Sequence, residues 1–277
     1  MRIAYLGTTA FAAGVLARLA EGEHRPVLAV TRPDRPAGRG RRLASPPVAE
    51  AARELGLELD QPESVNGEEA RARIAAAAPE VVVVCAFGAL IKEPLLSEHP
   101  MLNVHPSLLP RWRGAAPVER AIMAGDHETG VCIMRLTAGL DSGPVCLRGV
   151  EPIAADDTYG TLAARLEQLG AALLLRALDA GPAGWTWAEQ PEEGVAYAEK
   201  IGPADRTLDP AASATEQERV VRALAPHIGA RMPLGDGRFL GVRRARAGED
   251  GALELLEVQP PGGRPMPYAD YLRGHSG

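Results

Sequence analysis

The stretch VVVVCA at residues 81–86 decides the fold class of this chain. It is a continuous apolar run, mostly of β-branched valines, and it is bounded by Pro79 and Gly88. Such a run is typical of a strand that is buried on both faces of a parallel sheet. Nearer the start of the chain, an apolar run at residues 2–6 ends at Gly7, and apolar residues at helical spacing follow it. Strand and helix therefore alternate, which predicts an α/β fold with a Rossmann-like, doubly wound parallel sheet.

The next strand of this predicted sheet carries polar side chains near its carboxyl end, where doubly wound sheets bind their ligands. Residues 101–105 read MLNVH, and the alternation of side chains along a strand puts Asn103 and His105 on the same side. A further strand is predicted at residues 130–136, and Asp141 follows it. If that strand is parallel to its neighbour, the amide, the imidazole and the carboxyl group share one edge of the sheet.

These three groups together suit acyl transfer to an amine without a protein nucleophile. The amide of Asn103 can stabilise an oxyanion, and His105 can move a proton. Asp141 can orient the imidazole and favour its charged form. The alternative is structural, since a histidine at a strand end is often a hydrogen-bonding partner and an aspartate between glycines is often a turn residue. The spacing alone leaves both interpretations open.

Composition and charge exclude several classes of protein. The 277 residues are 46% hydrophobic and 24% charged, which excludes a disordered chain, and the net charge of −6 argues against a surface that binds nucleic acid throughout. No apolar run reaches the roughly 20 residues of a membrane span, and the first residues lack a signal-peptide pattern, so we expect a cytoplasmic protein without membrane contact. The scattered cysteines (Cys85, Cys132 and Cys146) and widely spaced histidines predict neither a disulfide framework nor a metal site.

A local excess of positive charge interrupts this acidic background. From Arg32 to Arg42, five arginines and a single acid, Asp34, give a local charge of +4. Arginines neutralise phosphates whatever the nucleic acid sequence, so the run is a candidate RNA contact. A solvated charged loop is the alternative, and composition alone favours it.

The composition changes after residue 180. Glycine, proline, tryptophan and glutamate are frequent at residues 181–194, which is typical of a linker. We therefore expect a catalytic domain at residues 1–180, this linker, and a small β-rich domain at residues 195–277. One helix near residues 214–224 and two short strands are predicted in the small domain.

Residues 103–110 (NVHPSLLP), followed by residues 139–143 (GLDSG), resemble the signature of the 10-formyltetrahydrofolate-dependent formyltransferases. Within that family, three further segments are similar to the methionyl-tRNA formyltransferases in particular. They are GTTAF at residues 7–11, RPDRPAGRGRRL at residues 32–43 and SLLPRWRGAAP at residues 107–117. The similarity runs from residue 1 to about residue 200 and resumes at residues 253–260 (LELLEVQP).

The resemblance implies transfer of a formyl group from 10-formyltetrahydrofolate, the donor co-substrate, to the α-amino group of methionine on initiator tRNA, without a metal ion. It implies catalytic roles for Asn103, His105 and Asp141. The folate-binding residues that it implies are Phe87, Gly88, Leu90, Ser107, Leu108, Leu109 and Pro110. The tRNA-binding residues that it implies are Arg35, Arg39, Arg41, Arg42, Arg111 and Arg113.

The chain departs from the family pattern in its C-terminal domain, where the family has an OB-like β-barrel. The stretch that supplies further strands between residues 246 and 253 is missing, so we expect a shortened OB-like domain and no closed barrel. This departure leaves a formyltransferase acting on an amino sugar nucleotide, or on another small amine, as the alternative function. A non-catalytic RNA-binding module is a second alternative, which the intact Asn103, His105 and Asp141 argue against. We expect a monomer.

Overall fold

The computed structural model describes residues 1–37, 42–235 and 237–275, which form two compact units. Unit 1 comprises Met1–Ala115, Gly130–Glu151 and Ala164–Tyr197. Unit 2 comprises Ala116–Thr129, Pro152–Ala163 and Ala198–Gly277. Within the described ranges, no helix combines the length and the apolar character that crossing a membrane requires.

Short strands and helices alternate along most of the chain. The strands are β1 (Ile3–Gly7), β2 (Leu28–Val30), β3 (Arg35–Ala37), β4 (Arg42–Ala44), β5 (Leu59–Asp60), β6 (Val81–Cys85), β7 (Met101–His105), β8 (Arg113–Gly114), β9 (Glu128–Arg135), β10 (Val145–Pro152), β11 (Tyr197–Ala198), β12 (Ala230–Pro233), β13 (Phe239–Ala247), β14 (Leu253–Gln259) and β15 (Met266–Pro267). The helices are α1 (Ala10–Ala20), α2 (Pro47–Glu54), α3 (Glu68–Ala76), α4 (Leu95–Glu98), α5 (Pro117–Ala124), α6 (Tyr159–Gly184, interrupted at Gly181), α7 (Ala214–Leu224) and α8 (Tyr268–His275).

Unit 1 is built around a seven-stranded sheet with the strand order β10-β9-β7-β6-β1-β2-β5. Strands β5, β2, β1, β6 and β7 run parallel to one another. Every residue of β6 is buried, as the valine run predicts, and β1 is buried along its whole length. The order reverses between β1 and β6, and the crevice at such a reversal is where doubly wound sheets bind ligands. The predicted Rossmann-like, parallel-dominated sheet is confirmed.

The turn from β1 into α1 shows why glycine ends the first strand. A Cβ atom on Gly7 would lie 2.9 Å from the Cβ atom of Ala12 and 3.1 Å from the carbonyl oxygen of Cys85. Helix and strand therefore approach too closely for any side chain at this position. Thr9 caps the helix, because its hydroxyl accepts a hydrogen bond from the N–H of Ala12 at 3.3 Å.

The direction of β9 corrects one expectation. β9 pairs antiparallel with β7, with Asn103 opposite Met134 and His105 opposite Cys132, so the expectation of a parallel strand is wrong. The connecting segment Ala116–Thr129 belongs to unit 2. The end of β9 therefore lies beside the start of β7, and the loop that follows β9 has to fold back to bring Asp141 to the histidine.

Unit 2 contains a four-stranded antiparallel sheet with the order β12-β13-β14-β15, and helix α7 packs against it. The hydroxyl of Ser213 accepts from the N–H of Glu216, and the Glu216 carboxylate accepts from the N–H of Ser213, which forms a capping box. One hydrophobic cluster of this unit is formed by the buried residues Leu208, Val221, Leu224, Ala230 and Val242. A small β-rich unit is therefore present, and its sheet is open within the described residues.

The two compact units do not follow the expected boundaries at residues 180 and 195. Residues 181–194 belong to unit 1, where Ala188 forms two backbone hydrogen bonds with Val145 and the Trp187 ring lies 4.4 Å from the Arg135 guanidinium carbon. The segment expected as a linker is therefore packed within unit 1. Its tryptophans supply the apolar area for packing, but composition does not show which residues that area contacts. Two earlier stretches of chain, by contrast, join the C-terminal unit.

Candidate active site

Strand β7 places an amide and an imidazole side by side in unit 1. Asn103 and His105 lie two residues apart on one strand, and they are 7% and 4% exposed. Both residues pair with β9 on one side, and Asn103 also lies opposite Val84 of β6. The strand is central in the sheet, so its backbone is held on both sides and the two side chains keep a fixed spacing.

A backbone carbonyl fixes the tautomer of His105. The Nε2 atom of the ring lies 2.9 Å from the carbonyl oxygen of Trp112. Because a carbonyl only accepts hydrogen bonds, Nε2 carries the hydrogen and the free lone pair of the neutral ring is on Nδ1. Trp112 has a left-handed backbone (φ 64), a conformation that is uncommon outside glycine. No motif or spacing in the sequence marks this contact.

The carboxylate of Asp141 reaches both β7 side chains. Its Oδ2 atom lies 3.7 Å from Nδ1 of His105 and accepts a hydrogen bond from the N–H of Gly114 at 2.8 Å. Its Oδ1 atom accepts a long hydrogen bond of 3.4 Å from the Nδ2 atom of Asn103. The structure thus brings the three predicted catalytic residues together, by the folding back of a loop and not by a parallel strand.

Gln190 contacts the same loop and was not singled out by the sequence. Its Nε2 atom donates to the carbonyl oxygens of Asp141 and Gly143, each at 2.8 Å. Its Oε1 atom accepts from Nε of Arg113 at 3.0 Å. Gln190 lies in the segment that composition presents as a linker, so no periodicity or motif marks it.

The three cysteines supply no nucleophile. Burial raises the pKa of the Cys85 thiol to about 12 and that of the Cys146 thiol to about 11, and it also raises the pKa of Cys132. These thiols stay protonated at neutral pH, and only the thiolate is a good nucleophile. Among the described residues, no group of three or more histidine, cysteine or acidic side chains could hold a metal ion.

The residues expected to bind folate differ in their exposure to solvent. Gly88 is exposed and Leu90 is 66% exposed, and both follow β6 at the reversal of strand order. The Phe87 ring is buried in the apolar cluster of unit 1, and its carbonyl accepts from the Thr8 hydroxyl. Ser107 is buried and its hydroxyl donates to the carbonyl of Arg111 at 2.7 Å. Of the remaining three, Leu109 is buried, and Leu108 and Pro110 are half-buried.

The arginines expected to bind tRNA differ in their exposure and in the contacts of their side chains. Arg42 is exposed on β4, and Arg35 is exposed on the paired strand β3, where it forms an ion pair with Glu63. The guanidinium of Arg111 lies 4.3 Å from the centre of the Trp112 ring. Arg113 is half-buried and bonded to Gln190, as described above. Arg39 and Arg41 lie outside the described residues.

Comparison with known proteins connects this geometry to a family. A family model described as "Formyl transferase" matches residues 1–178. The methionyl-tRNA formyltransferase of Halorhodospira halophila is 45% identical over 298 residues, covering 99% of this chain and 96% of the relative. The chain belongs to the methionyl-tRNA formyltransferase family. The methionyl-tRNA formyltransferase of Dechloromonas aromatica is similar over the same shares of both chains, at 43% identity.

Solved structures of lower identity share the fold of this family member. HypX from Aquifex aeolicus in complex with tetrahydrofolic acid superposes with a TM-score of 0.70 at 17% identity, over 98% of this chain and 47% of HypX. A sugar N-formyltransferase from Shewanella superposes with a TM-score of 0.66 at 20% identity, over 88% of this chain and 96% of that protein. At these identities the likeness concerns the fold alone.

Proposed function

We propose that the protein transfers the formyl group of 10-formyltetrahydrofolate to the α-amino group of methionine on initiator tRNA, in the cytoplasm and as a monomer. The observation that carries the proposal is the convergence of Asn103, His105 and Asp141 in unit 1. It occurs in a chain that is 45% identical, over nearly its whole length, to a methionyl-tRNA formyltransferase.

Asn103 serves as the donor to the formyl oxygen as that oxygen gains negative charge. Its Nδ2 atom carries two hydrogens, and the long bond to Asp141 uses only one of them. The residue is almost completely buried, so a hydrogen bond to a developing oxyanion is stronger here than in water.

His105 accepts the proton that the attacking amine loses. Nδ1 is the acceptor because Nε2 is already committed to the carbonyl of Trp112. Once protonated, the imidazolium faces the Asp141 carboxylate across 3.7 Å, which stabilises the charge. The same proton is then available for the leaving nitrogen, so the chain returns to its starting state without a covalent intermediate on the protein.

The loop after β6 fits a flat aromatic ligand. Ala86 (φ 42) and Gly88 (φ 69) both have left-handed backbones, which turn the chain sharply at the reversal of strand order. Leu90 exposes a large apolar surface there, of the kind that a planar ring system covers on binding. Backbone groups of residues 86–90, with Leu90 as an apolar wall, would hold the folate, which supplies the formyl group when bound.

The basic residues fit the phosphates of a tRNA acceptor. Arg35 and Arg42 project from a two-stranded hairpin, and both are exposed. Exposed arginines contact phosphates without reading sequence, so this hairpin supports binding and not discrimination between tRNAs.

The test is a formylation assay with purified protein, 10-formyltetrahydrofolate and methionyl initiator tRNA, run beside an amino sugar nucleotide as a competing acceptor. We expect formyl-methionyl-tRNA and no formylated sugar. Formylation of the sugar alone would retain the chemistry and overturn the acceptor. Light scattering during size-exclusion chromatography tests the monomer, for which a dimer mass is the contrary result.

A further inference from the structure

The side chain of Gln190 connects the loop that contains Asp141 to the segment of Arg113 and Gly114. Its amide donates both hydrogens, one to the carbonyl of Asp141 and one to that of Gly143. Its oxygen accepts from Arg113, whose neighbour Gly114 donates its N–H to the Asp141 carboxylate. Both amide hydrogens of the side chain are thus committed to the loop.

The loop needs such support because Asp141 is held in an unfavourable conformation. Its φ angle is 43°, in the left-handed region that residues other than glycine rarely adopt. A conformation of this kind persists only where its surroundings determine it. The two carbonyls that accept from Gln190 belong to this residue and to the one two positions later, so the amide spans the turn.

We propose that Gln190 is a positioning residue for formyl transfer, which keeps the Asp141 carboxylate within reach of His105. It does not contact the imidazole; it bonds to the loop of Asp141 and Gly143 and to Arg113. The inference rests on the proposed function, because the rate of formylation is one of its readouts.

The first test compares two substitutions of nearly equal size. Gln190→Met removes every hydrogen bond of the side chain, whereas Gln190→Glu removes both donors and keeps the acceptor for Arg113. We expect kcat to fall about 10- to 100-fold in both variants, since a misplacement near 1 Å costs up to about that much. KM for the folate and for the tRNA should stay within about twofold of wild type.

A matched control separates this role from ordinary stability. Gln217 also donates from its side-chain amide to a backbone carbonyl, that of Ala212, at 2.9 Å. Gln217→Met removes one hydrogen bond where Gln190→Met removes three, so it should lower the unfolding midpoint by less and leave kcat unchanged. Equal kcat in the Gln190 and Gln217 variants would overturn the proposal.

The second test asks whether Gln190 acts through Asp141. In an Asp141→Asn background, Gln190→Met should lower kcat by less than about twofold, because the group that it positions has already lost its charge. Multiplication of the two single effects would mean that Gln190 acts independently, which contradicts the proposal.

A third readout requires no activity. The Gly114 N–H is bonded to the Asp141 carboxylate, so its hydrogen exchange reports the position of that carboxylate. Gln190→Met should speed this exchange about tenfold or more, while Gln217→Met leaves it unchanged. Unchanged exchange in Gln190→Met would refute the positioning role. If exchange rises but wild type fails to formylate methionyl-tRNA, the positioning inference stands and the proposed function fails.

Discussion

The substitution Asp141→Asn removes one charge from the candidate active site and keeps the size and shape of the side chain. Asparagine has the shape of aspartate and tolerates the left-handed backbone (φ 43) at this position. Its side-chain oxygen can still accept from the Gly114 N–H. The substitution therefore removes the charge that faces His105, together with the weak 3.4 Å acceptor contact to Asn103, because an amide has only one oxygen.

The size of the effect follows from the distance between the two groups. Oδ2 of Asp141 lies 3.7 Å from Nδ1 of His105. Opposite unit charges near this distance attract by about 4 kcal/mol at an effective dielectric constant of about 20. Since about 1.4 kcal/mol corresponds to tenfold in rate, complete loss would slow the reaction about 10³-fold. The Asp141 side chain is partly exposed, so water replaces some of the interaction and we expect kcat to fall about 10²- to 10³-fold.

The assay is single-turnover formylation with saturating donor and methionyl-tRNA, together with a direct measurement of folate affinity. The rate should fall by the amount given above, while the folate dissociation constant stays within about twofold of wild type. A rate within about threefold of wild type would remove Asp141 from the mechanism. Loss of folate affinity in parallel with the rate would instead make Asp141 a binding residue.

Three further outcomes test separate parts of the account. Arg42→Ala should raise KM for tRNA and reduce the slope of log affinity against log salt by about 1, since an exposed arginine contributes one phosphate contact; an unchanged slope would remove β4 from the tRNA contact. Gly143→Ala should lower the free energy of unfolding in urea by about 1–3 kcal/mol, because its Cβ atom would lie 2.0 Å from the carbonyl oxygen of Arg135; an unchanged midpoint would show that this turn adapts. Burial raises the pKa of Glu167, so its proton is bound more tightly in the folded state. The protonated side chain therefore favours the folded state, and this contribution to the free energy of unfolding is lost as pH rises through the folded pKa. Glu167→Gln should therefore gain stability relative to wild type between pH 4 and 7, as followed by thermal unfolding, and a constant difference across that range would contradict the assigned burial.

The parts of the fold that the sequence predicts well are those whose pattern is local. The buried valine strand, the strand of Asn103 and His105 and the helix at residues 214–224 all lie within a residue or so of their predicted bounds. Each is marked by an apolar run or by helical spacing, and each is closed by a turn residue or a cap.

Strand direction and long-range hydrogen bonds leave no such local pattern. The spacing of β9 is compatible with either direction, so its antiparallel pairing and the folded-back path to Asp141 were not predictable. The carbonyl of Trp112 is a backbone group that any residue carries, and the side-chain amide of Gln190 donates to backbone carbonyls distant in sequence. The sequence therefore singled out three side chains that lie close together in the structure, and it did not mark the groups that hold them.

We propose that His105, held between Trp112 and Asp141, transfers a proton during formylation of methionyl-tRNA. The most direct measurement compares wild type and His105→Ala in single-turnover formylation of methionyl initiator tRNA, with tRNA binding measured on the same preparations. We predict that wild type forms formyl-methionyl-tRNA and that the variant binds tRNA equally well but formylates it at least about 10²-fold more slowly. Equal rates in the two proteins would show that His105 does not transfer this proton.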